Sequence, residues 1–218
     1  MKKIFMIFAI LFIAVTVNAQ LFLGGEFGLQ VKNDRTKTAG VSKLTNNIDS
    51  GRFMVAPTFG YYINDKLAVG LRTGVGVEFV VNKTNKTKDR ANRVIWDIFP
   101  YVKYHVFTHK KFSIVLEGGL GFGGVHELAK HGKDKVVKGP SIFLVHVFNV
   151  APVLEFKLAD HWHLYTALHF LDLGYDIAIT KPNPKVKTTQ TRHDFRMIFD
   201  ADDAWVLTNL TIGVYYKF

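Results

Sequence analysis

Cysteine is absent from all 218 residues, so no disulfide holds this chain together. Serine is nearly as scarce: only Ser42, Ser50, Ser113 and Ser141 occur. There is no G-x-S-x-G motif, and no serine lies within two residues of His146. A hydrolase needs its nucleophile beside a base. Ser141, five residues before His146, is the one pair left to consider as a dyad, and Ser113 falls near a short turn, facing inward. Metal chemistry is equally thin. His161 and His163 form an H-x-H, but one falls in a turn and the other points inward, so alternation does not aim both at one ion. Asp200, Asp202 and Asp203 lack the glycine and glutamate of a calcium loop. The sequence therefore predicts no catalytic residue, no cofactor and no metal, and a chain that is not an enzyme. Long apolar runs are also missing after residue 19. The nearest, Ile142 to Leu158, is broken by His146, Asn149, Pro152, Glu155 and Lys157, where a spanning helix needs about 20 apolar residues.

What the chain has is alternation. From Arg52 to Val81 the odd positions Phe53, Val55, Phe59, Tyr61, Leu67, Val69, Leu71, Val75, Val77 and Phe79 are apolar. The even ones are small or polar, among them Gly60, Gly70, Arg72, Gly74, Gly76 and Glu78. A period of two means strands with one apolar face, and Asn64-Asp65 suits the tight turn between them. Eight such segments are predicted: Leu21–Val31, Arg52–Ile63, Leu67–Val81, Arg93–Phe107, Phe112–Glu127, Ile142–Leu158, Trp162–Ile179 and Ala204–Phe218. Short connections (Asn64-Asp65, Thr108–Lys111, Ala159–His161) alternate with long ones (Lys32–Gly51, Asn82–Asn92, Leu128–Ser141, Thr180–Asp203). That order predicts an all-β fold, an eight-stranded antiparallel up-and-down transmembrane β-barrel with its short turns in the periplasm. Lys2, Lys3, the apolar stretch Ile4–Val17 and Asn18-Ala19 read as a cleaved signal peptide over 1–19, leaving 20–218 as the barrel domain.

Parity fills the barrel. Glu26, Arg72, Glu78, Asp97, Lys103, Glu117, Glu155 and Lys157 fall on the inner face, with His163, His169 and the bulky Tyr62, Phe99, Tyr101, Phe143 and Tyr165. Eight strands leave an interior just wide enough for side chains, and charges of both signs inside imply ion pairs that satisfy one another. Parity puts His146 on the lipid face. It slips near Phe170-Leu171, which predicts a bulge turning Asp172 and Asp176 inward. Pro57, Pro100 and Pro152 recur at one height in alternate strands and predict a kink or bulge at each. The net charge of +10 collects on the long connections. Its densest part, Lys83, Lys86, Lys88, Arg90 and Arg93, forms a basic rim that would draw anions such as lipopolysaccharide phosphates or acidic glycans. No nucleic-acid recognition module is present.

The segments PTFGYYINDKLAVGL, FPYVKYHVFTHKKFSIVLEGGLGFG and APVLEFKLADHWHLYTAL resemble the small outer membrane β-barrel domain proteins of Gram-negative bacteria, porin-like and eight-stranded. The resemblance implies residence in the bacterial cell outer membrane, with lipid bilayer and lipopolysaccharide as surroundings. It implies recognition of the alternating C-terminal strand, ending in Tyr216 and Phe218, by the outer membrane assembly machinery. The function expected is structural or surface-interacting, with an anionic extracellular ligand as a possible partner. A narrow channel or small-solute transporter is the alternative, and a lipid-modifying enzyme a third.

Overall fold

The computed structural model describes residues 20–36, 46–84, 87–130, 137–168, 172–182, 189–197 and 209–218. The expected signal peptide, Lys86, His169 and the acidic trio Asp200, Asp202 and Asp203 lie outside the described residues. Among the described residues ten strands are present: β1 (Gln20–Thr36), β2 (Asn46–Tyr62), β3 (Leu67–Thr84), β4 (Thr87–His109), β5 (Phe112–Lys130), β6 (Val137–Lys157), β7 (Trp162–Ala167), β8 (Leu173–Lys181), β9 (Gln190–Met197) and β10 (Asn209–Lys217). Each pairs antiparallel with its neighbours. β1 through β7 follow one another, β7 pairs with β10, and β10 pairs with β1, which closes the ring. The ring has eight positions because β6 pairs with β7 at its lower end and with β8 above, so β7 and β8 are two halves of one stave. β9 adds to β8 over the upper part of the wall.

The outer face is apolar. Leu23, Phe59, Val75, Phe79, Val106, Leu120 and Trp162 are all about half exposed or more. In water such a band would be costly; facing lipid it is the expected surface of a membrane barrel. The core is inside, built on Phe22, Tyr62, Ala68, Phe99, Tyr101, Val115, Val153, Tyr165 and Tyr215.

The short-turn end follows the expected chemistry. The Asn64 side-chain oxygen accepts from the backbone N–H of Lys66 (2.9 Å) and Leu67 (2.8 Å), an Asx turn that fixes the first hairpin. Turn carbonyls then continue the ladder into the next stave: Lys66 O accepts from His105 N, and Lys111 O from Lys157 N.

The other end departs from expectation. β3 and β4 run to Thr84 and from Thr87, so the predicted loop 82–92 is a hairpin extension with its strands paired down to Thr84↔Thr87. β4 is 23 residues long, about twice the 9–11 that cross a bilayer. The predicted loop 180–203 likewise contains β9. Hydrophobic alternation ends where the membrane ends, but backbone pairing does not, because water tolerates a polar ladder.

The prolines also behave differently. Pairing of β2 with β3 breaks between Val55 and Thr58, and that of β4 with β5 between Ile98 and Tyr101, yet both resume in the same register. Each proline lacks an N–H toward one neighbour only, so Pro57 and Pro100 interrupt the ladder without a bulge. The Pro152 carbonyl accepts from Leu168 N at 2.9 Å, and β6 pairs with β8 from Val150↔Leu173 upward; the bulge expected at Phe170-Leu171 lies outside the described residues. Register shifts fall elsewhere, between His105 and Phe107, Gly119 and Gly121, His126 and Leu128, and His146 and Phe148.

Candidate functional site: a polar layer across the lumen

Glycines on one strand make room for large rings on the next. A Cβ at Gly70 would lie 2.6 Å from the Tyr101 ring, and one at Gly60 2.6 Å from Phe22. Rings of Phe22, Tyr101, Tyr165 and Tyr215 thereby turn inward and surround one ammonium. Lys103 is 2% exposed, with Nζ 4.3 Å from the Tyr165 ring centre, 5.3 Å from Tyr101, 5.6 Å from Tyr215 and 6.0 Å from Phe22. Its charge is met by Glu117 Oε2 at 3.5 Å, and the ring faces add cation–π attraction in a dry setting.

Toward the middle of the barrel Arg72 joins two carboxylates. Its Nη1 lies 3.0 Å from Glu117 Oε1 and 3.3 Å from Glu26 Oε1, and the guanidinium sits 4.8 Å over Phe99. Toward the short turns a hydrogen-bonded chain crosses the lumen. His105 Nε2 and Tyr62 Oη are 3.3 Å apart, and Tyr62 Oη and Tyr215 Oη 2.8 Å. Tyr215 donates to Glu155 Oε1 at 2.6 Å, and His163 Nδ1 meets the same oxygen at 2.9 Å. Each of the first three links skips a stave: β4 to β2 across β3, β2 to β10 across β1, β10 to β6 across β7. The layer ties non-adjacent strands together where the backbone ladder cannot. A buried polar network of this kind stabilises only when its members are paired. Glu155 Oε2, Asp97 Oδ1 and Asp172 Oδ1 are buried and have no hydrogen-bond partner among the described residues.

The remaining residues singled out from the sequence sit as follows. Glu78 does not reach the central layer; it holds Arg93 Nη1 at 3.3 Å, while Arg93 Nε reaches Glu127 at 2.7 Å. Arg93 is thus an inward-facing, doubly paired residue and not part of an open basic rim. Lys83 is exposed and bound to Asp49 at 3.0 Å. Arg90 is exposed on β4, and Lys88 belongs to that strand too. Lys157 stands at the mouth, not in the interior: it is 42% exposed and pairs with the solvent-facing Asp160. Tyr216 packs against His161 and Trp162, with ring centres 5.2 Å apart in each case, and Phe218 lies 5.0 Å from Tyr216.

Two side chains reverse face. The irregularity between His146 and Phe148 turns His146 inward, where Nδ1 meets Asp176 at 2.7 Å and the ring stands edge-on to Phe99 at 6.2 Å. The same shift puts Phe143 outward, 42% exposed. Asp172 is buried. Ser141 partners His126, Oγ to Nδ1 3.2 Å, and not His146. His161 bonds the Lys217 carbonyl while His163 bonds Glu155, so the H-x-H pair is divided between two partners. Among the described residues no group of three His, Asp or Glu side chains is placed to hold a metal.

No family model and no curated protein matches the chain. Solved structures do. The outer membrane protein OprG from Pseudomonas aeruginosa is 13% identical, with 92% of this chain and 95% of that one covered at a TM-score of 0.51. Neisserial surface protein A is 16% identical, with 92% and 99% covered at 0.38. Ail, the attachment invasion locus protein of Yersinia pestis, is 10% identical, with 92% and 97% covered at 0.40. At such identities the likeness to OprG establishes a shared fold. Fold and apolar outer band together make this chain a membrane-spanning β-barrel.

Proposed function

We propose that this chain, an outer-membrane β-barrel by fold, is a closed, non-enzymatic barrel whose role is to hold a surface in the membrane, and that its long connections face outside. The observation that carries this reading is Lys103: a fully buried ammonium, caged by four rings and paired to Glu117, stands where a pore would run. A channel needs a hydrated path past its narrowest point, and a caged, paired charge at that level argues against one. Refolded protein in planar bilayers should give no reproducible unitary conductance; steady single-channel steps would overturn the closed barrel in favour of a solute pathway. Labelled lipopolysaccharide incubated with the protein should be recovered unchanged, and a shortened or modified lipid would identify an enzyme.

The C-terminus supports assembly in the same reading. Phe218 N donates to Leu21 O at 2.9 Å, so the last residue lies at the seam that closes the ring. Its ring is 64% exposed on the outer face and contributes little internal packing. Deleting Phe218 should lower the amount of folded barrel in the membrane severalfold while export continues, as read by fractionation and immunoblot. Undiminished membrane levels would show that this residue carries no assembly information.

A further inference from the structure

The outer wall over β4, β5, β6 and β8 changes character within one row of the sheet. Across these strands one paired row is Ile98, Phe122, Val145 and Ile177; the next is Trp96, Gly124, Phe143 and Ile179. Both are apolar. The row above is Val94, His126, Ser141 and Lys181, and the one above that Asn92, Leu128 and Lys138. Arg90 stands one row higher on β4, facing the same way by alternation. Arg90, Lys138 and Lys181 are all exposed.

We propose that this boundary is a binding site for an outer-leaflet glycolipid bearing more than one phosphate and several acyl chains. The inference rests on the orientation adopted above, with the long connections outside. Charge comes first. Inside the barrel Arg72 and Arg93 are each neutralised by two carboxylates. On the β1–β3 wall the outward Lys83 is held by Asp49. Among the described side chains, the outward positions above the apolar rows on the β4–β8 wall are Val94, Asn92, Arg90, His126, Leu128, Ser141, Lys138 and Lys181, with no carboxylate in that set. Spacing comes second. Neighbouring strands lie about 4.8 Å apart, so cations on β4, β6 and β8 spread over roughly 10–15 Å. A single phosphate meets one of them; a wide, doubly phosphorylated sugar headgroup meets several.

The apolar rows below are shaped for acyl chains. Trp96, Phe122 and Phe143 form a continuous aromatic series, with ring centres 6.2 Å and 6.4 Å apart. A Cβ at Gly124 would lie 2.6 Å from Trp96 Nε1, so the glycine lets the indole lie across β5 directly beneath the polar row. Tryptophan at that depth is an interfacial anchor, polar at one edge and apolar over the rest. His126 and Ser141, bonded to each other at 3.2 Å, provide a donor and an acceptor at the level where sugar and acyl chain join.

The test uses the full folded barrel in detergent and doubly phosphorylated lipid A as probe, with dephosphorylated lipid A and inorganic phosphate as separate arms. The double variant Lys138→Glu/Lys181→Glu should bind at least about thirtyfold more weakly, the cost of losing two cations facing an anionic headgroup. Trp96→Ala should weaken binding severalfold. Lys66→Glu/Lys111→Glu, the same charge change at the short-turn end, should bind as wild type. Heat-dependent gel mobility shows whether each variant is folded. Equal loss in both double variants, equal binding of dephosphorylated lipid A, or displacement by millimolar inorganic phosphate would each overturn the proposal. Conductance is measured independently, so a barrel that conducts but binds the lipid sinks the closed-lumen reading and leaves this one standing.

Discussion

Lys103→Ala should destabilise the barrel by about 3–5 kcal/mol, the cost of breaking a buried ion pair by removing one partner. The ammonium is lost from among four rings and from Glu117, and the cavity left behind adds its own penalty. Lys103→Met separates the two causes. It removes the same charge but keeps most of the volume, and in either variant Glu117 keeps Arg72 at 3.0 Å, so the difference between the two reads the cavity. Methionine should therefore cost clearly less than alanine. Urea titration of the folded band on unheated gels measures both. Equal costs for the two variants would mean that the lost charge accounts for the penalty and filling the space does not; a negligible cost for alanine would mean that the layer holds nothing together.

Glu26, Arg72, Lys103, Glu117 and Glu155 were identifiable as inward-facing because alternation is strict where one face meets lipid, and a polar residue out of phase there is expensive. The same pressure shows from residue 172 onward: odd positions from Leu173 turn apolar, and Asp172 and Asp176 are buried or part-buried. The irregularity at Val147 left no such trace. On both sides of it the residues are apolar (Val145, Val147, Phe148, Val150), so a slip of one position moves His146 and Phe143 across the wall without breaking any pattern. Partners across strands were not legible either. Ser141 lies near His146 in sequence but opposite His126 in the sheet; alternation fixes which face a residue takes, while turn geometry and bulges choose among registers that keep that face. Strand length failed for a third reason: beyond the membrane, Arg90 and Arg93 sit on paired strands whose polar faces read as loop.

Gly24→Val should be the most damaging single substitution, because it acts on ring closure. Gly24 pairs with Tyr215 across the seam between β1 and β10, the first and last strands of the ring. A Cβ there would lie 2.3 Å from the Val214 carbonyl oxygen and 2.6 Å from the Tyr215 Cα. Those are backbone atoms, so no rotamer change relieves the contact; the strands must separate. Inserting methyl groups into a packed interior costs about 1–3 kcal/mol where side chains can give way, and here they cannot. Tyr215 would move with its backbone, and with it the hydrogen bonds to Tyr62 and Glu155 that cross the lumen. The adjacent Gly25 supplies the control. A Cβ at that position meets its nearest atom, the Ala56 carbonyl oxygen, at an ordinary 3.5 Å, and alternation points it toward lipid. Gly25→Val should therefore assemble normally and gain apolar surface in the band. The measurement is the yield of heat-modifiable, folded barrel from refolding of each variant under one set of conditions. Near-complete loss for Gly24→Val beside a wild-type yield for Gly25→Val is the expected result. Similar yields for the two would show that the β1–β10 seam tolerates separation at this level, and that closure does not depend on the close approach of Gly24 to Tyr215.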